Sequence, residues 1–245
     1  MNEKSFEQFT EQRRNFEQAL EKSLAALDRS HYPESLLECM GRVLTPPNSL
    51  RGLPLLVECL ASRKVPSSLI TGAEVFLRGL LLLADLELER SIRPDKSQSF
   101  NLGEKIPPAH LLLTVDTLFT WAIELAAGQA DNNERSFAGV FSSFPGVDGI
   151  LLGLDIAQPD LEGLLGVEPV SALAGAVLVG KELGEPAALA ARWIYLRELE
   201  SWFGISPGSS SAEMRDIEQR LNKMELESSS PSVVKQLALL VRFLK

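Results

Sequence analysis

Apolar residues recur at helical spacing along most of the chain. Phe6, Phe9, Phe16, Leu20, Leu24 and Leu27 follow one another at three, seven, four, four and three residues, which lays them on one stripe of a long first helix. Ser5 and Gln8 have the spacing of a capping box at its start. Ser30 and Pro33 open a second helix through Val43, because proline suits a first turn where its missing N–H costs nothing, and Thr45-Pro46-Pro47-Asn48 stops it. A third helix is predicted over 49–63 and a fourth over 69–90, separated by Val65-Pro66-Ser67-Ser68. The centre of the fourth, 80–84, is apolar on every side, which predicts a helix enclosed by neighbours. After a polar loop at 93–105, Pro107 and Pro108 introduce a helix over 109–127, followed by a turn at 128–133. Residues 136–165 read as helical pieces broken at Pro145, Gly146 and Pro159. Beyond them come helices at 169–183 and 186–203, a Gly/Ser-rich loop at 206–211, and helices at 212–227 and 232–244. No alternating run is long enough for a sheet, so the pattern predicts an all-α fold, a bundle of about ten helices forming one domain over 1–245.

Composition narrows the class. Hydrophobic residues make up 45% of the chain, enough for a large interior, yet no window reaches the roughly 18 to 20 apolar residues of a membrane span. The chain begins Asn2-Glu3-Lys4 and continues amphipathic, so neither a signal nor a transit peptide is expected, and the expected location is cytoplasmic. A net charge of −9 with scattered Lys and Arg excludes the basic footprint of a nucleic-acid binder. Cys39 and Cys59 lie in apolar helical stretches and are expected to be structural. His31 and His110, the two histidines, are too far apart in sequence to suggest a zinc site or a Ser-His-Asp triad. Asp116 stands alone among Leu, Val, Phe and Trp; a carboxylate there is expected to line a cavity, with a structural hydrogen bond favoured over catalysis.

The order of elements resembles the trans-isoprenyl diphosphate synthases, the all-helical polyprenyl synthetase family. Leu50-Arg51-Gly52-Leu53-Pro54-Leu55-Leu56-Val57 is similar to that family's Gly-Gly-Lys-Arg-Leu-Arg-Pro motif and the apolar helix after it, and Ser35 to Met40 resembles the helix before it. The stretch 72–90 resembles the helix that ends in the first aspartate-rich motif. Similarly, 113–127 resembles the Ala-Gly-Asp helix, Leu154-Asp155-Ile156 the end of Gly-Gln-x-x-Asp, and 175–180 a Gly-Ala-x-Leu-x-Gly stretch. The resemblance covers nearly the whole chain and implies an isoprenoid-synthase-like fold in which two aspartate-rich motifs hold Mg²⁺ against an allylic diphosphate. It also implies that Leu80 to Leu83 with Phe76, Phe119 and Trp121 could line a prenyl-chain tunnel, although a plain core is the commoner use of such residues.

The chemistry of that family needs carboxylates that this chain lacks. It has no Asp-Asp dipeptide. Asp85-Leu86-Glu87-Leu88-Glu89 stands at the first motif and keeps only Asp85 and Glu89, four apart, as vestigial metal ligands. Leu196-Arg197-Glu198-Leu199-Glu200 stands at the second, where Arg197 would repel a metal ion. Arg51, with Arg90 and Arg93, is what remains of the diphosphate-binding side, and Leu152 takes the place of the glutamine. No lysine occurs between Lys105 and Lys181, where the family has a Lys-Thr pair.

The resemblance therefore implies a non-catalytic regulatory subunit without a cofactor of its own, any Mg²⁺ being held by its partner. That partner would be a catalytically complete prenyl diphosphate synthase subunit, in a heterodimer or heterotetramer, with self-association as the other form. Two further readings stay open. One is a diverged terpene-synthase-like or prenyltransferase enzyme using Asp85 and Glu89 for one Mg²⁺; the other is a helical interaction or lipid-binding protein unrelated to isoprenoids.

Overall fold

The computed structural model describes residues 3–27, 32–45, 50–60, 67–92, 106–127, 184–203, 208–227 and 231–245. These form eight α-helices: α1 (Glu3–Ala25), α2 (Glu34–Leu44), α3 (Gly52–Leu60), α4 (Ser67–Ile92), α5 (Pro108–Ala127), α6 (Gly184–Phe203), α7 (Gly208–Glu227) and α8 (Pro231–Leu244). The fold is all-α, with no strand among the described residues. The helical pieces predicted over 136–165 and 169–183, and the turn and loops at 128–133 and 93–105, lie outside them.

Two local expectations are corrected. α1 begins at Glu3, so Ser5 sits inside the helix and does not cap it with Gln8; Glu3 and Lys4 are good helix formers that carry the helix upstream. The Gly/Ser-rich stretch is not wholly a loop, because α7 begins at Gly208 and takes Ser209 to Ser211 into its first turn, where serine is well tolerated. Pro33 stands at the N-cap of α2 with φ −56° and ψ 141°, the extended conformation of a residue before a helix.

α4 packs most extensively against α5. Gly79 permits this approach: a Cβ there would lie 2.7 Å from Cε1 and 3.0 Å from Cδ1 of the Phe119 ring. Phe76 and Phe119 meet across the same seam with ring centroids 5.0 Å apart, the separation at which tilted aromatic pairs attract. Phe76, Leu81 and Leu82 of α4 and Leu118, Phe119 and Trp121 of α5 are all buried, so these residues belong to the core. On the other side α4 meets α3 and α6, and α8 closes the bundle over α3, α6 and α7. α1 lies across α3, α4 and α8, with Phe6 and Phe9 on Phe243 at centroid separations of 5.4 and 5.3 Å.

α3 enters the bundle at a second tight place. A Cβ on Gly52 would lie 2.7 Å from Ile194 Cγ2 and 3.0 Å from Leu244 Cδ1, so glycine is required where α3 meets α6 and α8. The outer faces of α6, α7 and α8 are laced by ion pairs: Arg192–Glu213 at 3.0 Å, Arg220–Glu185 at 2.7 Å, Arg242–Glu225 at 2.8 Å and Lys245–Glu218 at 2.8 Å. Such exposed pairs each add little and weaken with salt; the apolar contacts of Ile217, Leu221, Leu237, Leu240 and Leu244 hold these helices together.

Gly79→Val is expected to destabilise the protein by about 1–3 kcal/mol through overpacking against Phe119, measured by urea denaturation. Combining it with Phe119→Leu should cost less than the two changes summed, because the smaller side chain vacates the space the new methyls enter.

Candidate functional site

The polar centre of the molecule is a chain of charged side chains running through the apolar interior. It starts at Glu17 on α1, passes to Arg51 just before α3, then to Glu74 and Arg78 on α4, and ends at Glu198 on α6. Arg51, Glu74, Arg78 and Glu198 are all buried, at 4%, 0%, 0% and 1% exposure. Charges taken this far from water are stable only when paired and hydrogen-bonded.

The geometry meets that condition unevenly. Glu74 Oε1 accepts from Arg51 Nη1 at 2.9 Å and from Arg78 Nε at 2.8 Å, the distances of charge-assisted bonds. Arg78 Nη2 reaches Glu198 Oε2 at 3.2 Å. At the outer end, Arg51 Nε lies 3.9 Å from Glu17 Oε1, which also pairs with Arg13 at 3.4 Å and is partly exposed. The Arg51 guanidinium stands 5.9 Å from the centre of the Phe16 ring, within cation–π range. Glu74 Oε2 and Glu198 Oε1 are buried with no hydrogen-bond partner among the described residues.

Helical register explains how α4 delivers two of these groups. Glu74 and Arg78 are four residues apart, so they share one face and bond along it. Arg51 arrives differently. Its backbone takes φ 53°, the left-handed conformation that costs a residue with a Cβ about 1–2 kcal/mol, and its carbonyl accepts from Leu55 N at 3.4 Å in the first turn of α3. The strained backbone turns the chain into α3 while the guanidinium stays against Glu74.

The two buried carboxyls respond oppositely to their surroundings. Burial by itself would raise Glu74, but the Arg78 and Arg51 guanidiniums outweigh it and hold the carboxyl below its ordinary range. Burial raises Glu198, Arg78 and Arg51 oppose it, Glu74 adds to it, and the net direction is upward. Glu74 is thus a committed anion.

The residues singled out from the sequence are scattered by the fold. Arg51 is interior, its guanidinium engaged with Glu74. Asp116 is corrected: it is exposed, not cavity-lining. The apolar face of α5 is carried by Val115, Leu118, Phe119 and Ala122, and position 116 lies nearly opposite Leu118 on the helical wheel. Its apolar sequence neighbours are therefore not its spatial neighbours. Asp85, Glu89 and Arg90 belong to α4, with side chains outside what is described, and Arg93 lies outside the described residues, as does His31. His110 is exposed. Among the described residues no group of His, Cys, Asp and Glu is arranged to hold a metal ion. Within Leu196 to Glu200, Leu196 is buried, Glu198 pairs with Arg78, and Arg197 pairs with Glu200 at 3.1 Å. Cys39 is buried and Cys59 packs against the core: burial raises Cys39, with a Thr114 hydrogen bond offsetting only part, and burial with the charge of Glu58 pushes Cys59 up to about 12.

Sequence reading missed Glu74 and Arg78. The signal for them was present: a Glu and an Arg at i and i+4 are the only charges in the otherwise uncharged stretch 69–84, on a helix expected to be enclosed. No known family model matches this chain, and no curated protein matches it.

Arg78→Met is expected to cost about 3–5 kcal/mol by urea denaturation, because it leaves the buried Glu74 carboxylate with one cation and removes the N–H that Glu198 accepts. Arg42→Ala, which removes the surface pair to Glu38, should cost less than about 1 kcal/mol. Glu74 has a lowered folded-state pKa, so its contribution is present above the unfolded pKa and lost as pH falls through the folded one. Glu74→Gln should therefore be destabilised most near neutral pH, with the gap to wild type closing on acidification.

Proposed function

We propose that the chain is a non-catalytic subunit of a heteromeric trans-prenyl diphosphate synthase, an isoprenoid-synthase-like helical domain that pairs with a motif-complete homologue and influences product chain length or complex stability. The reading begins from the sequence resemblance described above, and one observation carries it further. Every described ionisable side chain at the positions the resemblance assigns to diphosphate and metal is already engaged with a partner of the same chain. Arg51 is spent on Glu74, Glu198 on Arg78, and Glu200 on Arg197.

Those pairings matter chemically. A diphosphate needs cations that face it, and Mg²⁺ needs carboxylate oxygens free to bind it. A guanidinium buried to 4% exposure behind Phe16 and a glutamate buried to 1% behind Arg78 supply neither without breaking the interior. The scaffold is kept while its charged groups serve folding. Such a chain contributes to an assembly through its surface and through the shape it imposes on a partner's product cavity.

Co-expression with a motif-complete prenyl diphosphate synthase is the test. The expected result is a complex that survives gel filtration and a product chain-length distribution different from that of the synthase alone, with no turnover of an allylic diphosphate and Mg²⁺ by this chain by itself. Turnover by the isolated chain, abolished in Asp85→Ala, would sink the proposal in favour of an enzyme; absence of both complex and product change would sink it outright.

A further inference from the structure

The buried charge chain is not symmetric about Glu74. Glu74 receives two guanidiniums on one oxygen, at 2.9 and 2.8 Å. Among the described residues, Glu198 is reached by the guanidinium that it shares with Glu74, at 3.2 Å. Its second oxygen, Oε1, is buried without a hydrogen-bond partner among the described residues. An ionised carboxylate at 1% exposure with one shared cation is under-compensated. A carboxylic acid at the same place still accepts from Arg78 on Oε2 and carries no net charge to solvate.

We propose that Glu198 is a buried proton-binding site that makes the packing of α6 on α4 pH-responsive: the contact is tightest with the proton on Glu198 and loosens when the carboxyl ionises. The groups that bear on it are Arg78 and Glu74 from α4 and Arg51 from the entry to α3. Charged residues that α7 and α8 bring to α6 are occupied at the surface: Glu213 with Arg192, Arg220 with Glu185, and Glu218 with Trp193 Nε1 and Lys245. With Glu198 neutral, Arg51 and Arg78 still face Glu74, and Glu17 remains beside Arg51 at the watered end. The committed anion and the proton-binding acid thus share one arginine, Arg78.

Burial, the largest influence on this carboxyl, acts in the direction the geometry requires. A folded-state pKa raised above the unfolded one contributes stability that is full below the unfolded value and lost as pH rises through the folded value. Glu198 therefore weakens the fold on the alkaline side of its titration, opposite to Glu74.

The inference stands apart from the proposed function, because its readouts need no partner and no prenyl substrate. Urea unfolding of wild type and Glu198→Gln across a pH series gives the first. The ratio of their unfolding equilibrium constants should shift in favour of the glutamine variant as pH rises, by up to about tenfold per pH unit across the titration. A ratio that does not change with pH would overturn the proposal. Infrared spectroscopy of wild type alone gives the second and does not depend on the variant folding. A protonated-carboxyl C=O band should persist in folded protein at a pH where exposed carboxyls are ionised and disappear at higher pH; its absence under those conditions would overturn the proposal equally. Where Glu198→Gln folds, it should lack that band.

Discussion

The pairing of Arg78 with Glu74 and Glu198 is the constraint around which the described helices are arranged. A guanidinium with no exposed surface is stable in an apolar interior only when carboxyl oxygens reach it in the right geometry, so α6 must present Glu198 to α4 at one register. Arg51 extends the requirement to the α3 entry and, through Glu17, to α1. The α3 entry, α4 and α6 are thereby fixed relative to one another by directional bonds, with α1 joined by the longer Arg51–Glu17 ion pair, where apolar packing alone would tolerate sliding and exchange of similar side chains. Replacing such a cluster by hydrophobic residues need not lower stability; what it supplies here is a unique alignment.

Packing around the cluster is correspondingly close. Gly52 follows Arg51 directly and lies where any side chain would strike Ile194 and Leu244. The two adjacent residues divide the problem: Arg51 accepts backbone strain at φ 53° to place its guanidinium, and Gly52 gives up its side chain so that α6 and α8 can approach. Immediately after Arg78, on the flank towards α5, Gly79 does the same for Phe119. α4 is therefore an internal axis, with a polar contact on the α6 side and an aromatic one on the α5 side.

This arrangement bears directly on function. The buried charged groups of the described interior, Arg51, Glu74, Arg78 and Glu198, are joined to each other, and within the helix segment Leu196 to Glu200 one glutamate meets Arg78 of α4 and the other pairs locally with Arg197. In the described interior these carboxyls serve the packing of the helices.

Several features were legible in the sequence because they depend on local periodicity. The helical class, the enclosed character of α4 and the proline-led start of α2 all follow from local spacing and turn chemistry. Asp116 shows where that logic fails when composition replaces register: its neighbours in sequence are apolar, yet a helix turns residue 116 away from Leu118 and into water. Arg51 fails for a second reason, since a motif-like position says which residue is present and not which partner it meets. The union of Arg51, Glu74, Arg78 and Glu198 was decided by tertiary structure alone. The separations between Arg51, the Glu74–Arg78 pair and Glu198 exceed anything a helix repeat encodes, and only the crossing of α6 over α4 beside the α3 entry brings those charges within hydrogen-bonding distance. Sequence determined that the chain would be helical and where its apolar faces would lie; the docking of those faces determined which charges would be taken from water together.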